Sequence, residues 1–295
     1  MTLSQATIAF LNDGAGLEAT TLRNYTRRLA GAVDMIGPDR LLMDLTPDLL
    51  RDFVAMRARE ISGIQVRHEL TALGSVVAYA AERRFPGAPS TNPCREVPKK
   101  SLAKAQQKPR WLKPEQVRAI LEQARRSPFW TAFLGLILET GMRHEEALGL
   151  QWSEVDFVEG VINLGAAREK TKRGRIIPLT KHARTILAGI LRYERSPWVF
   201  INPRTGNRYV SIWKSWGSLR QRAGVPEGRI HDLRHTFASL TRQNGMSRED
   251  RMAIMGHTSE ASHEIYAKGS VKSLSDALEA NRPLLKLSKK PEHSS

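Results

Sequence analysis

Apolar side chains recur at helical spacing through residues 1–85, which predicts a small helical domain. One stripe covers residues 22–33. A second begins after Thr46-Pro47, a pair that suits the N-cap and first turn of a helix. A third stripe covers residues 70–80. The pattern predicts three or four helices in this domain.

The periodicity stops between residues 86 and 110. Prolines interrupt any helix there, at positions 86, 89, 93, 98 and 109. Lysines and arginines, including Lys99 and Lys100, far outnumber the single glutamate of this stretch. We expect a basic, partly extended linker that could follow a phosphate backbone, although an ordinary solvated connector would have the same composition.

Residues 111–285 mix two periodicities and predict a second domain. Strand-like runs at residues 155–157, 161–164 and 176–179 are separated by turns containing Gly160 and Gly174, which predicts a small antiparallel sheet. Helical patterns lie around the buried run 133–138 and near residues 181–194, 211–223, 231–243, 248–255 and 260–267. The expected fold class is mainly α with a small antiparallel β-sheet, followed by a flexible tail at residues 286–295.

The charge of the chain points to a polyanionic partner. Its 295 residues carry a formal net charge of +16, and 41% of them are hydrophobic, as in a globular protein. About three quarters of this excess falls in residues 110–295. Nucleic acid is the usual partner of such a protein, and a generic positive field without a polyanion is the alternative.

The remaining composition narrows the cellular setting. Cys94 is the only cysteine, so no intrachain disulfide and no cysteine-rich metal site can form. The first residues do not place an apolar run after a basic region, so we predict no signal peptide. Nothing approaches the apolar length of a membrane span. These features fit a cytoplasmic protein.

Residues 231–240 offer a basic face if they form a helix. Leu233 and Phe237 then lie on a core side, and His231, Arg234 and His235 gather on the opposite side, away from the core. Three basic groups on one face favour an anion site, while a merely solvated face stays an alternative. A zinc site is disfavoured because no glutamate directly follows His231 and no third ligand lies nearby.

Two further segments carry charge where chemistry needs it. Arg143 follows the buried helix, and Glu146 comes three residues later, so the two can form a local ion pair, which could also be an ordinary surface pair. Residues 168–175 lie between two strand-like runs and present five cations on a predicted hairpin tip. Such a tip could hold phosphates and bring a lysine to a leaving group, or it could be a solvated turn.

A late tyrosine completes the pattern. Ser247 caps a short helix that ends at Gly256-His257, and Tyr266 follows near the next helix. A phenol is a weak nucleophile at neutral pH and needs a general base or cationic surroundings. Guanidinium groups fit the charge that spreads over the oxygens of a reacting phosphate. Arginines, histidines and one tyrosine in this order favour attack on a phosphodiester.

These segments together resemble the tyrosine recombinase, or phage integrase, family over nearly the whole chain. Positions that agree with the family's catalytic set in type, order and spacing are Arg143, Lys170, His231, Arg234, His257 and Tyr266. Glu146 stands at the family's acidic position after the first arginine. The chain departs from the family pattern at His263, where threonine is frequent, and His144 is an unusual neighbour of Arg143.

The resemblance implies a fold and a reaction. Residues 1–85 would form a helical, SAM-like core-binding domain, and residues 111–285 a mixed α+β catalytic domain. Tyr266 would attack a scissile DNA phosphate, giving a 3′-phosphotyrosyl link and a free 5′-hydroxyl. Arg143 and Arg234 would clamp the phosphate oxygens, and Lys170 would protonate the leaving oxygen.

The resemblance also assigns the supporting residues. His231 would accept the tyrosine proton, His257 would hydrogen-bond a phosphate oxygen, and Glu146 would position its neighbours. The expected DNA contacts are Lys172, Arg173 and Arg175 on the hairpin, with Lys99 and Lys100 in the linker. No cofactor and no metal are implied, because side chains supply the positive charge.

The implied partners follow from the same chemistry. The substrate would be double-stranded DNA carrying specific recombination sites. A homotetramer would bind this DNA, and the protein could be a monomer in solution. A directionality or accessory factor is compatible with this scheme, and a membrane is not part of it. The expected location is the cytoplasm, in association with the nucleoid, and the expected source is a prokaryote or a phage.

Two other functions stay open on the sequence. A type IB topoisomerase-like enzyme uses similar chemistry without strand exchange, but the N-terminal helical domain and the chain length argue against it. A DNA-binding architectural protein with a dead site is opposed by the complete catalytic set.

The last helical stripe has two explanations. Leu274 and Leu278 lie one turn apart, so the chain after Tyr266 can form a short amphipathic helix. This helix could pack on its own domain. The resemblance instead favours docking on a neighbouring protomer, which would couple the active sites.

Overall fold

The chain divides into two compact units, Met1–Lys108 and Pro109–Ser295. The computed structural model describes residues 1–98, 110–165, 174–256 and 268–282, apart from the side chains of Ala15 and of residues 268–270. Each unit has its own apolar core.

The first unit is helical. Its helices are α1 (Leu3–Asp13), α2 (Ala19–Ile36), α3 (Pro47–Glu60) and α4 (Gly63–Glu82). Side-chain caps explain where three of them begin: the hydroxyls of Thr2, Thr46 and Ser62 each accept a backbone N–H from the first turn. The predicted start of α3 at Thr46-Pro47 is confirmed.

Part of the segment expected to be a linker belongs to the core of the first unit. Cys94 and Val97 are buried among the side chains of this core. The Asn92 amide donates a hydrogen bond to the carbonyl of Gly74 in α4, at 2.7 Å. Residues 92–97 therefore pack on the first unit, because Cys94 and Val97 bury their apolar side chains in its core.

The second unit combines eight helices with one sheet in its described part. The helices are α5 (Pro114–Ala124), α6 (Pro128–Thr140), α7 (His144–Leu148), α8 (Lys181–Ala188), α9 (Trp213–Arg222), α10 (Asp232–Gln243), α11 (Arg248–Met255) and α12 (Lys268–Ala280). Helix α8 is shorter than expected because Gly189 ends it and returns its N–H to the carbonyl of Thr185.

The sheet is small and antiparallel. Its strands β1 (Val155–Asp156), β2 (Val161–Leu164) and β3 (Arg175–Pro178) follow in chain order, with Ile162 paired to Ile177. Gly160 and Gly174 have positive φ at the ends of the strands, as the turn prediction requires. The predicted fold class, mainly α with a small antiparallel sheet, is confirmed.

Helix α6 lies at the centre of the second unit. Its side chains from Phe133 to Thr140 are buried, and it contacts α5, α8 and α10. A helix that is buried on all sides has little freedom to shift, because its neighbours are close-packed. Whatever follows α6 in the chain is therefore held in a fixed place.

The C-terminal stripe packs on its own unit. Leu274 and Leu278 of α12 are buried in the same core as α6, and α12 contacts β3 and α11. This is the first of the two arrangements that the sequence left open, and docking of α12 on a neighbouring protomer stays a prediction. The apolar surface they cover belongs to their own chain.

Across the described residues, no helix combines the length and the hydrophobicity needed to cross a lipid bilayer.

Candidate active site

Arg143 is placed by a tight turn at the end of α6. Gly141 ends the helix with φ of +64°, and its N–H bonds the carbonyl of Ile137 at 2.8 Å. A Cβ on Gly141 would lie 2.5 Å from the ring of Phe237 in α10. Only glycine allows this left-handed turn at such a close approach, and Arg143 then becomes the N-cap residue of α7.

Glu146 holds Arg143 and Arg175 at once. Its carboxylate accepts the backbone N–H of Arg143 at 2.8 Å and the Arg143 Nη1 at 2.6 Å. It also accepts Arg175 Nη1 at 3.2 Å and Nη2 at 2.6 Å. The predicted local pair between Arg143 and Glu146 is therefore confirmed, and a second arginine from strand β3 joins it.

Arg175 is not the exposed hairpin cation that the sequence predicted. It begins strand β3, and only 1% of its side chain is exposed. Its guanidinium lies against Glu146 in the interior, so it is not on the protein surface. In the structure it is a neighbour of Arg143 through Glu146, and nothing in the local sequence distinguishes it from the other cations of residues 168–175.

Arg234 also differs from its expected place. The basic face of α10 was expected to lie away from the core, but Arg234 is only 3% exposed. Its Nη1 donates to the carbonyl of Gly141 at 2.6 Å, and its Nη2 donates to the carbonyl of Met255. Leu233 and Phe237 are buried as predicted. Arg234 therefore joins the turn before Arg143 to the end of α11.

The guanidinium groups create a positive interior. Burial, followed by the field of Arg143 and Arg175, lowers the pKa of Arg234 to about 9. Burial would raise the pKa of Glu146, but its bonds to Arg175 and Arg143 hold this pKa below its ordinary value. One carboxylate therefore faces three arginines, an arrangement that favours an anion such as a phosphate.

Histidines border the arginine cluster. The rings of His231 and His235 lie 4.9 Å apart, centroid to centroid, and are perpendicular. Burial, then His235, Arg234 and His144, lower the pKa of His231, against a smaller opposite effect of Asp232. A neutral imidazole can accept a proton, so His231 has the form a general base needs at neutral pH.

His144 lies between this cluster and an exposed indole. Its ring contacts Trp213 of α9 edge to face, with centroids 5.3 Å apart, and 16% of its side chain is exposed. Its Nε2 is 3.2 Å from Glu145 Oε1, without the angle of a hydrogen bond. The unusual neighbour of Arg143 is thus part of the wall of the site.

The structure brings together Arg143, Glu146, Arg234 and His231 from the predicted catalytic set, and adds Arg175, which was predicted as a DNA contact. Several predicted residues lie outside the described residues: Lys99, Lys100, Lys170, Lys172, Arg173, His257 and Tyr266. Among residues 1–98, 110–165, 174–256 and 268–282, no group of three or more histidine, cysteine, aspartate or glutamate side chains is arranged to hold a metal ion.

Comparison with known proteins gives one family. Residues 110–272 match the sequence profile of the phage integrase family, more than half of the chain. The tyrosine recombinase XerD of Listeria innocua is 26% identical over 294 residues, which cover 93% of this chain and 96% of that relative. A similar protein, XerC of Chlamydia caviae, is 29% identical over 160 residues, so this match spans half of the relative's length.

Solved structures show the same fold. A lambda integrase dimer bound to a COC′ core site superposes with a TM-score of 0.71 at 19% identity, covering 88% of this chain and 96% of that chain. The integrase of the transposon Tn1549, in complex with transposon right end DNA, gives 0.70 at 16% identity, covering 94% and 99%.

Proposed function

The chain belongs to the phage integrase family, and from this premise we propose that it is a site-specific DNA recombinase. It cleaves and rejoins DNA strands by transesterification through a 3′-phosphotyrosyl intermediate. The observation that carries the proposal is the meeting of two arginines at the Gly141 turn: Arg143 follows this turn, and Arg234 bonds its carbonyl. His231 lies beside Arg234. The names of the relatives, XerD and XerC tyrosine recombinases, support the same activity.

The reaction assigns a task to each side chain. The phenolic oxygen of Tyr266 attacks the scissile phosphorus while His231 takes the phenolic proton. Arg143 and Arg234 bind the phosphate oxygens, where charge grows in the transition state. The bond from phosphorus to the 5′ oxygen breaks, and Lys170 gives that oxygen a proton. His257 hydrogen-bonds a phosphate oxygen.

Glu146 positions the first arginine. Because its carboxylate bonds both the backbone and the guanidinium of Arg143, the guanidinium is oriented before substrate arrives. No cofactor or metal takes part in the proposed reaction. The phosphotyrosyl bond keeps the energy of the broken phosphodiester, and a 5′-hydroxyl reverses the step.

The proposed substrate is double-stranded DNA with specific recombination sites. Solved relatives include a lambda integrase tetramer bound to a Holliday junction. We infer the same assembly here, because strand exchange between two duplexes needs two cleavages in each. The protein would act in the cytoplasm of a prokaryote or phage-infected cell, with room for an accessory factor that sets the direction.

A suicide substrate tests this function. A nicked half-site whose 5′-hydroxyl fragment diffuses away should trap wild-type protein covalently on DNA. Tyr266→Phe should bind the same DNA with nearly unchanged affinity and form no covalent product. Arg143→Lys should lower the cleavage rate by at least about 10²-fold, since an ammonium cannot replace a guanidinium fork.

The same assay separates the alternatives. Covalent product from Tyr266→Phe would overturn the assignment of the nucleophile. Absence of any covalent product from the wild-type protein would favour a DNA-binding protein without activity. Relaxation of supercoiled DNA without joining of two sites would favour a type IB topoisomerase-like enzyme.

A further inference from the structure

A buried carboxylate lies four residues before Arg143. Glu139 is 0% exposed, near the end of α6. Its Oε2 accepts hydrogen bonds from the hydroxyl of Thr180 and from Arg282 Nε, the latter at 3.2 Å, and its Oε1 accepts Arg282 Nη2 at 3.3 Å. Arg282 follows the end of α12, and only 17% of its side chain is exposed. A residue just after α12 thus neutralises a buried charge near the end of α6.

Two other elements hold the same end of α12. The amide of Asn244, at the end of α10, donates to the carbonyls of Asn281 and Arg282, at 3.1 and 3.0 Å. The backbone N–H of Lys181, at the start of α8, donates to Glu279 at 2.9 Å. We call these contacts, together with the Glu139–Arg282 pair, the α12 clamp.

Each partner of the α12 clamp is joined to a proposed catalytic residue. Helix α6 leads to Arg143, and α10 carries Arg234. Strand β3, just before α8, comes five residues after Lys170 in the sequence. The clamp therefore ties α12 to the elements that would place the scissile phosphate.

The Glu139–Arg282 ion pair restricts the rotation and sliding of α12, which its apolar contacts alone would allow. Leu274 and Leu278 attach α12 to the core, but apolar contacts have no preferred direction, and a helix can rotate or slide on them. An arginine–carboxylate pair has directional bonds. A buried carboxylate that loses its cation is also strongly unfavourable, so the pair favours a single position of α12.

We propose that the Glu139–Arg282 pair is a positioning device for the nucleophile of the reaction proposed above. Tyr266 precedes the first residue of α12, Lys268, by two positions, and two residues of chain reach at most about 7 Å. The position of α12 therefore limits where Tyr266 can lie relative to Arg143 and Arg234. Arg282 acts through α12 and needs no contact with DNA.

The first test measures cleavage. Arg282→Ala should cleave the suicide substrate about 10- to 100-fold more slowly than wild type in a single turnover, with the affinity for half-site DNA unchanged within about threefold. Arg282→Lys should recover part of the rate. Lys272→Ala removes the same charge from an exposed position of α12 and should cleave like wild type.

The second test bypasses the tyrosine. A DNA strand ending in a 3′-p-nitrophenyl phosphate can be joined to a 5′-hydroxyl strand. The hydroxyl oxygen attacks phosphorus, and p-nitrophenolate leaves. This ligation needs the phosphate-binding arginines but not Tyr266. Arg282→Ala should therefore ligate at nearly the wild-type rate, whereas Arg143→Ala should not.

A third variant guards against unfolding. Glu139→Leu combined with Arg282→Met replaces the pair by apolar side chains of similar size, a change that often leaves stability intact. Its thermal midpoint should stay close to that of wild type, and its cleavage should be slow while ligation of the nitrophenyl ester persists.

The outcomes are distinct. If wild-type protein forms no covalent complex, the proposed function itself fails. If wild type cleaves and the Arg282→Ala and apolar-pair variants cleave equally fast, the positioning role is wrong. Equal losses of cleavage and ligation in a folded variant would also overturn it, because the pair would then support the phosphate site as a whole.

Discussion

At the scale of single residues, Glu146 decides how the candidate site is built. It is 7% exposed and bonds Arg143 and Arg175, which come from different elements. Without this carboxylate, the two guanidinium groups would repel each other in a poorly solvated place. The carboxylate therefore offsets both cations and orients the Arg143 guanidinium.

We predict that Glu146→Gln lowers the free energy of unfolding by about 3–5 kcal/mol, the usual effect of removing one partner from a buried ion pair. Asp48→Asn is the matched control, because Asp48 pairs with Arg51 on the surface and should contribute less than about 1 kcal/mol. Urea unfolding of both variants measures the difference.

The same variant has a defined pH dependence. The bonded arginines lower the pKa of folded Glu146 below its ordinary 4.5. Its stabilising effect is therefore complete above that ordinary value and is lost as the pH falls through the lowered pKa. The gap between wild type and Glu146→Gln should shrink in acid. Equal destabilisation by Glu146→Gln and Asp48→Asn would contradict the assigned role.

His231 gives a second prediction at this scale. Because its pKa is lowered below the ordinary 6.5, most His231 is neutral at pH 6.5 and above. The second-order rate constant of cleavage, which reports the free protein, should fall only at more acidic pH. Rates measured with DNA well below saturation, from pH 5 to 8, test this. An acidic limb centred above 6.5 would be incompatible with His231 as the base.

At the scale of elements, the site depends on how α6, α10 and α11 meet. The turn at Gly141 passes against Phe237, and Arg234 reaches from α10 to the carbonyls of Gly141 and Met255. The two proposed phosphate ligands are therefore fixed relative to each other by backbone contacts. Close packing at one glycine sets this geometry.

Replacing that glycine should damage both fold and activity. Gly141→Ala places a methyl group 2.5 Å from the Phe237 ring and should lower the free energy of unfolding by about 2–4 kcal/mol, from the left-handed backbone plus overpacking. Gly206→Ala has nearly the same φ, +68°, but no atom within 4 Å, so it isolates the backbone cost.

Both alanine variants are compared by thermal unfolding and by suicide-substrate cleavage. Gly206→Ala should show a small loss of stability and wild-type cleavage. Gly141→Ala should lose more stability and also cleave more slowly, because its turn carries Arg143. If the two variants behave alike, the contact with Phe237 does not position the arginine.

At the scale of the whole molecule, two features bear on DNA binding: the net positive charge and the division of the chain into two units. The net charge of +16 supplies an attraction that weakens as salt rises. Each unit has a separate apolar core, so each can keep its fold when the connecting chain is cut. Residues 99–109, at the boundary between the two units, contain four lysines, and leucine is the largest of their apolar residues.

We predict that limited trypsin digestion of the free protein cuts first after Lys99, Lys100 or Lys104. Polar and charged residues surround these bonds, and prolines flank the region on both sides. Two stable fragments should result, and specific DNA should slow their formation. Unspecific DNA at high salt serves as the control. First cuts within α1–α4 would oppose separable units, and unchanged cutting on specific DNA would oppose contact of the connector with DNA.

What the sequence determined by itself is the part set by neighbouring residues. Helical stripes, the caps at Thr46 and Ser247 and the pair of Arg143 with Glu146 all involve positions within four residues of each other. Each is a contact between near neighbours along the chain, so the sequence alone shows that it can form. The order of arginines, histidines and tyrosine identified the family, which the sequence profile then confirmed. The catalytic tasks stay predictions for the whole set, which is Arg143, Lys170, His231, Arg234, His257 and Tyr266.

Only the tertiary structure decided which charges are paired and buried. Arg175 meets Glu146 across 29 residues of chain, and Arg282 meets Glu139 across 143. Arg234 was expected to be exposed and is buried, because the carbonyls of Gly141 and Met255 take up its donors. The sequence alone does not show which of the cations near residue 175 pairs with Glu146. The tertiary packing selects Arg175, because a charged side chain can be buried only where a group of opposite charge or a hydrogen-bond acceptor offsets its loss of hydration.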